Sequence, residues 1–463
     1  MTPLTSPQSQ EPMLPAQGPV AVRPSHSTLD SVLFIGPFAL LLFAPLAFGT
    51  VDPWSIFLLE AGSALLFIVW IYRQIQRGEL VAFGNPVFAP MLVFGALIAV
   101  QAVFGLTAYR YQTISNVFLY VAYGALCFLV NQGLRRTSQI KLLATAACVY
   151  TGAVALLALI QGLSGTTNIY WVHTPLNPGW IYGPYVNHNH YAGLMEMLVP
   201  FPLIIALSHQ ARSWQRSAAA ATAALAATTI FLSGSRGGMA AFAIEMTIVA
   251  AVFLRGEKPG RAATAIGIFL IIVVGLLVWL GGGQLVERMA SIRSETHTEV
   301  SGGTRLDIDR DGLRMFVQKP VLGWGLGTFP EVYPQFRTFY TNFFINAAHN
   351  DYVQLLVETG VLGFLAMLWL LLVAFRNGIR KLKGWARDTN GGLALAAMLG
   401  ITGILFHSFV DFNLQIPANA AIFYLLCVLA AMEPRFGQFQ RRGRKQHSEA
   451  LPDLSAGTFS ALS

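Results

Sequence analysis

The chain has 463 residues, 54% of them apolar and only 11% charged, where an ordinary soluble domain carries about 25% charged residues. A soluble globule cannot hide that much apolar surface, so composition excludes a soluble enzyme, a disordered chain and a disulfide-stapled secreted domain, and leaves a polytopic membrane protein. The formal net charge of +8 does not point to nucleic acid, because the positive charges sit in short loops between apolar runs and report topology.

Residues 1–30 are rich in Pro, Gln, Ser and Thr and are expected to be a disordered cytoplasmic tail. No basic stretch feeds directly into a short apolar core, so no cleaved signal peptide is expected. From Ser31 onward apolar runs recur near 31–49, 54–72, 87–106, 115–133, 142–164, 189–208, 217–233, 238–254, 263–281, 352–375, 392–410 and 417–432. Runs of that length cross a hydrocarbon core of about 30 Å as helices. The expected fold is therefore all-α, with about twelve transmembrane helices over 31–432 and a basic cytoplasmic tail over 433–463. Cys127, Cys148 and Cys427 each lie in a separate apolar run and read as small packing residues.

With the N-terminus placed in the cytoplasm, 21 of the 30 Lys and Arg fall on the cytoplasmic side. The nine on the outer face are Arg110, Arg236, Arg288, Arg293, Arg305, Arg310, Arg314, Lys319 and Arg337. That asymmetry puts both termini inside.

Two outer segments are long. Residues 165–188 carry Tyr170, Trp171, Trp180, Tyr182 and Tyr185 without a single Lys or Arg. They read as an interfacial aromatic belt, with a sugar-stacking surface as the alternative. Residues 282–351 form a loop too long to be a plain connector. Within it, Thr304 to Gln318 has the pattern of an amphipathic helix. Thr304 and Asp307 resemble a capping box, and Leu306, Leu313 and Val317 form an apolar stripe. Lys319-Pro320 ends it, and Gly323, Gly325 and Gly327 follow as a turn-rich strip. The loop is expected to be an ordered external cap.

Three constellations carry chemistry. Ser233-Gly234-Ser235-Arg236-Gly237-Gly238 sets a guanidinium beside a Gly-rich turn, which suits an anionic group; a snorkelling arginine at a helix end is the plainer reading. The arginines of the long loop are balanced by its acids, so Asp307–Arg310 and Asp311–Arg314 read as exposed i,i+3 pairs worth tenths of a kcal/mol. In Ala348-His349-Asn350-Asp351-Tyr352, His349 falls at a helix N-terminus, with Asn350 or Asp351 as cap. The positive helix end disfavours imidazolium, and a neutral histidine is a competent general base. Asp411 lies at the outer end of a helix, where an acid at membrane depth is either functional or a structural hydrogen-bonding group. Glu60, Glu196 and Glu245 also fall in apolar runs, without an evident role.

The strings His349-Asn350-Asp351-Tyr352-Val353-Gln354 with Glu358-Thr359-Gly360, the Ser-Gly-Ser-Arg-Gly-Gly turn, and Arg305, Arg310 and Arg314 leading to Pro320 and Gly323-Trp324-Gly325-Leu326-Gly327 together resemble the O-antigen ligase and O-antigen polymerase superfamily. Asn187-His188-Asn189-His190-Tyr191-Ala192 and the Asp411 segment with Ile416-Pro417-Ala418-Asn419 fit as well. The resemblance is strongest over residues 180–430, and Asp309 departs from it, since the family favours tryptophan there.

The resemblance implies a glycosyltransferase-C-like enzyme of the bacterial inner membrane. It would transfer a glycan from undecaprenyl diphosphate to an acceptor hydroxyl on the periplasmic side, with inversion and without metal or cofactor. It implies His349 as the base, Arg236, Arg305, Arg310 and Arg314 as the diphosphate site, and Asp411 as a supporting residue. The partners implied are the lipid-linked glycan donor, a glycan or lipid A–core acceptor, and the bilayer. Ligase is the leading reading, with O-antigen or exopolysaccharide polymerase and protein O-oligosaccharyltransferase as alternatives. A small-anion transporter is a rival from another class, but the chain shows no internal repeat and gathers its arginines at one face instead of the bilayer midplane.

Overall fold

The computed structural model describes residues 28–175, 180–256, 264, 267–280, 302–342 and 344–433. The expected tails outside 28–433, and the first part of the long loop with Arg288 and Arg293, lie outside the described residues.

Each of the twelve expected apolar segments falls on a helix. The first five are α1 (Thr28–Leu46), α2 (Pro53–Arg77), α3 (Phe88–Val103), α4 (Arg110–Gly133) and α5 (Thr137–Leu163). The sixth apolar run is divided into α6 (His188–Leu198) and α7 (Pro200–Leu207). Pro200 and Pro202 cause the division, since neither has an N–H for the carbonyl one turn back. Then come α8 (Ser213–Ser233), α9 (Arg236–Gly256) and α10 (Gly267–Leu280). The extramembrane segment holds α11 (Gly302–Gln318) and the single turn α12 (Phe329–Val332), and α13 (Asp351–Ile379), α14 (Thr389–His407) and α15 (Pro417–Ala431) complete the bundle.

Eight of the described helices, with α6 and α7 taken as one, are long and apolar enough to cross a membrane, and no strand occurs among the described residues. The protein is thus an all-α polytopic membrane protein. Helix α14 lies at its centre, packed against α6, α7, α9, α13 and α15. Its small residues allow close approach: a Cβ on Gly400 would meet the Met197 backbone at 2.8 Å. In a membrane such small-residue contacts replace the hydrophobic drive between helices. Cys127 and Cys427 are buried and Cys148 is half-buried, all as free thiols.

The extramembrane segment departs from the expected pattern. Helix α11 begins at Gly302, so Thr304 lies inside its first turn and the Thr304–Asp307 box does not start it. The stripe of Leu306, Leu313 and Val317 faces outward, and the buried face is instead Ile308, Asp311 and Met315. Two features turn the helix this way. Gly312 lets Val353 of α13 approach, where a Cβ would meet Val353 Cγ1 at 2.7 Å. The Asp311 carboxylate is buried because it accepts from the Thr338 backbone N–H at 3.0 Å, the Thr338 hydroxyl and the Tyr333 hydroxyl.

The aromatic segment also differs from a belt. Tyr182 and Tyr185 are core residues, Tyr170 donates its hydroxyl to the Leu46 carbonyl, and Trp180 stacks on His188 at 4.4 Å. Only Trp171 is exposed among these five.

Helix α13 is broken at Gly360, which adopts φ +64° and ψ −169°. The break admits the chain that follows α11: Val361 N–H donates to the Pro320 carbonyl at 2.8 Å. A side chain at 360 would strike the Val321 carbonyl. Two residues before the break, buried Glu358 accepts from the backbone N–H groups of Gly327 at 2.9 Å and Phe329 at 3.1 Å, and from Gln354 Nε2. Gln354 Oε1 in turn accepts from Ala348 N–H. The Gln354 and Glu358 positions therefore brace the glycine strip and the residue next to His349.

Candidate active site

The site is built on two connectors at the same end of the bundle: the entry into α13 and the loop between α14 and α15. Asn350 caps α13, its side-chain oxygen accepting from Tyr352 N–H at 3.1 Å and Val353 N–H at 3.3 Å. His349, one residue earlier, has φ +54°, a left-handed conformation that histidine tolerates better than most side chains. It stands at the positive end of the helix dipole, as its spacing suggested.

Asp351 ties the two connectors together. Its backbone N–H donates to the Ser408 carbonyl at 2.9 Å. Its carboxylate accepts from the Ser408 hydroxyl at 2.7 Å, Leu414 N–H at 3.1 Å and Gln415 Nε2 at 3.1 Å. That clasp presents Asp411 to His349. Asp411 is buried, and its Oδ1 lies 3.9 Å from His349 Nδ1 and also 3.9 Å from His190 Nε2. Both imidazoles meet Phe412 edge-on, with centroids at 4.7 Å. Burial works to raise the Asp411 carboxyl, but the charges of His190, His349, His407 and Arg305 outweigh it and hold the group below its ordinary value. A carboxylate that stays ionised beside two histidines can orient an imidazole and stabilise a proton taken up by it.

Arg305 reaches the same loop from α11, Nη1 donating to the Val410 carbonyl at 2.6 Å. Arg236 opens α9 and is exposed. Its neighbours press against the loop from the other side: a Cβ on Gly237 would meet His407 Cδ2 at 2.5 Å and Val410 Cγ2 at 2.9 Å. Arg236 and Arg305 thus flank one turn, 407–411, with Asp411 at its end. Arg310 and Arg314 do not join them. They pair with Asp307 at 3.4 Å and Asp311 at 3.1 Å, with both guanidinium side chains largely in solvent. Asp309 shares the Arg305 face. It accepts from Asn350 Nδ2 at 3.4 Å, and burial raises its carboxyl despite that bond.

Several residues of this neighbourhood had no assigned role in the sequence. His190 is one, held by Asn419, whose Nδ2 donates to the His190 carbonyl at 3.1 Å while its Oδ1 accepts from the Tyr185 hydroxyl at 2.7 Å. Beneath Arg236, buried Glu196 Oε1 lies 2.9 Å from His407 Nδ1, and His407 Nε2 is 3.5 Å from Ser235 Oγ. Ser235 Oγ also accepts from Gly238 N–H at 3.1 Å and caps α9. Glu245, fully buried and lying with Glu196 against Gly403 of α14, has neither carboxyl oxygen hydrogen-bonded. The signal for Glu196 and Glu245 was their occurrence in apolar runs; nothing in the sequence joined Glu196 to His407, 211 positions away.

An all-helical membrane bundle with a histidine–carboxylate pair and two arginines gathered at one end defines the class: a multi-pass membrane protein with an extramembrane-facing polar site. Residues 221–368 match the family model described as O-antigen ligase, a likeness that supports the resemblance to the O-antigen ligase superfamily. The matched stretch contains Arg236, Arg305, Arg310, Arg314 and His349; His190 and Asp411 lie outside it. The comparison with curated proteins gave no match.

Proposed function

We propose that the protein transfers a glycan from undecaprenyl diphosphate to an acceptor hydroxyl on the periplasmic side of the inner membrane, with both termini in the cytoplasm. The leading acceptor is lipid A–core, which makes the protein an O-antigen ligase. The observation that carries this reading is the pairing of His349 Nδ1 with buried Asp411 on the turn flanked by Arg236 and Arg305. With Nδ1 turned to Asp411, Nε2 is the nitrogen assigned to the acceptor. The acceptor oxygen attacks the anomeric carbon from the face opposite the diphosphate, which inverts it. The bond from that carbon to the phosphate oxygen breaks, its electron pair stays on the diphosphate, and the acceptor proton passes to His349. Arg236 and Arg305 act where the leaving-group charge develops, and a low-dielectric surround strengthens them. The 3.9 Å separation is long for a hydrogen bond and would tighten as the imidazole becomes positive.

The test is glycan transfer by purified protein given undecaprenyl-diphosphate-linked glycan and acceptor. His349→Ala is expected to insert and fold normally and to abolish transfer; full activity in that variant would overturn the assignment of the base. Deleting the gene separates the acceptors. Polymer made but absent from lipid A–core means ligase, and single repeats in place of polymer mean polymerase.

A further inference from the structure

The opposite end of the bundle holds a second polar site. Helix α2 starts beside the 408–417 region, since the Gly49 carbonyl just before it accepts from Ala418 N–H. Its 25 residues carry the chain about 37 Å away at 1.5 Å per residue. At that far end, the last turn of α2, the first turn of α1 and the α4–α5 connection enclose a cavity of about 340 Å³.

Its charged lining is four arginines, 73, 77, 135 and 136, against one carboxylate, Asp30. Asp30 is already committed. It takes Arg73 in a bidentate pair at 3.1 and 2.9 Å and Arg77 at 2.8 Å. The Arg135 guanidinium donates to the Gln132 carbonyl at 2.8 Å and lies over the Phe83 ring at 5.4 Å, while its backbone N–H donates to Gln139 Oε1. Among the described residues no carboxylate lies within ion-pairing distance of Arg135 or Arg136. Burial, followed by the charges of Arg77 and Arg136, lowers the Arg135 guanidinium from its ordinary value. A second observation is independent of charge. Trp70 lines this cavity, is 7% exposed, and its indole Nε1 is buried with no acceptor. A buried donor without a partner costs about 1–3 kcal/mol, and this one belongs to a side chain of the cavity wall.

The rest of the wall decides the source of the anion. Leu33, Phe34 and Leu129 line it beside the arginines, and all three belong to helices apolar enough to cross a membrane. The site is thus half charged and half apolar at the level where helix ends meet the headgroup layer. A free phosphate would gain nothing from the apolar half; a diacylglycerol phosphodiester would use both. We propose that this cavity binds the phosphodiester headgroup of an anionic phospholipid, with Arg135 and Arg136 holding its oxygens and Trp70 donating to one of them. The site is separate from the one around His349 and does not depend on the function proposed for it.

The experiment is thermal unfolding of the full chain, purified in lipid-free detergent, with added dioleoylphosphatidylglycerol, dioleoylphosphatidylcholine or inorganic phosphate at equal phosphorus concentration. The anionic lipid is expected to raise Tm by about 4 °C or more, and the other two by less than about 1 °C. Arg135→Gln with Arg136→Gln is expected to lose at least half of that shift. Arg380→Gln with Arg387→Gln, basic residues of the same end, is expected to keep it. Equal shifts from inorganic phosphate or from the zwitterionic lipid would overturn the lipid assignment. So would a full shift in the 135/136 variant or an equal loss in the 380/387 variant. Lipid occupancy of Trp70→Phe by native mass spectrometry decides the matter should the arginine variant not fold: retention of phosphatidylglycerol at the wild-type level refutes the site.

Discussion

Replacing Asp411 by asparagine isolates the charge in the proposed site. Asparagine keeps the size and the side-chain oxygen that accepts from Phe412 N–H at 2.8 Å, so the loop has no reason to move. What is lost is a unit charge 3.9 Å from His349 Nδ1. At an effective dielectric of about 20 that interaction is worth about 4 kcal/mol with a full imidazolium. A proton half transferred in the transition state would feel about 2 kcal/mol of it. At about 1.4 kcal/mol per tenfold, transfer should slow by roughly 30- to 1000-fold. The assay is transfer from purified undecaprenyl-diphosphate-linked glycan in nanodiscs, following kcat and donor KM separately. The loss should fall on kcat, because Asp411 faces the histidines and not the donor. A variant within about threefold of wild-type kcat would refute the argument, and so would an unchanged kcat with a raised donor KM.

The arginines separate by placement. Arg305→Ala should lower kcat/KM for the donor about 10- to 100-fold, the worth of one charge-assisted contact, while Arg310→Ala and Arg314→Ala should stay within about threefold; equal losses in the same transfer assay would mean that the outer face of α11 also meets the donor. Glu358→Ala strands the buried N–H groups of Gly327 and Phe329, at about 1–3 kcal/mol each, and should lower Tm by several degrees, with Glu358→Gln recovering much of it. Burial raises the Asp309 carboxyl, so the folded state holds that proton more tightly than the unfolded state. Stability therefore falls as pH rises from the ordinary aspartate range through the raised value. Asp309→Asn should melt higher than wild type at pH 8, and the difference should close towards pH 4; melting curves at both pH values check this.

The helices were legible because apolar runs of membrane length leave few other structures open. His349 was legible because its cap and the helix behind it lie in the next few residues. The facing of α11 was not. The expected stripe of Leu306, Leu313 and Val317 faces outward while Ile308 and Met315 are buried, and that facing rests on Gly312 admitting Val353 and on an acid, Asp311, buried by bonds to Thr338. Helical periodicity assigns an Asp to the wet side, and only the tertiary partner reverses that. The resemblance grouped Arg310 and Arg314 with Arg305, yet at 3.6 residues per turn they point about 140° and 180° around the helix from it. His190 was part of a recognised string without a role, because its partner Asp411 arrives more than 200 positions later.

The way the site is stitched bears on how the protein is made. His190 comes from α6, Arg305 from α11, His349 from the entry to α13, and Asp411 from the turn after α14. The amide that holds the His190 carbonyl belongs to Asn419, in α15. A ribosome delivers these parts in that order, so the nascent chain carries histidines and arginines into the membrane long before they can cooperate. Synthesis must reach the last helix before the constellation closes. A product cut short ahead of α15 would insert most of its helices and lack the amide that holds the His190 carbonyl.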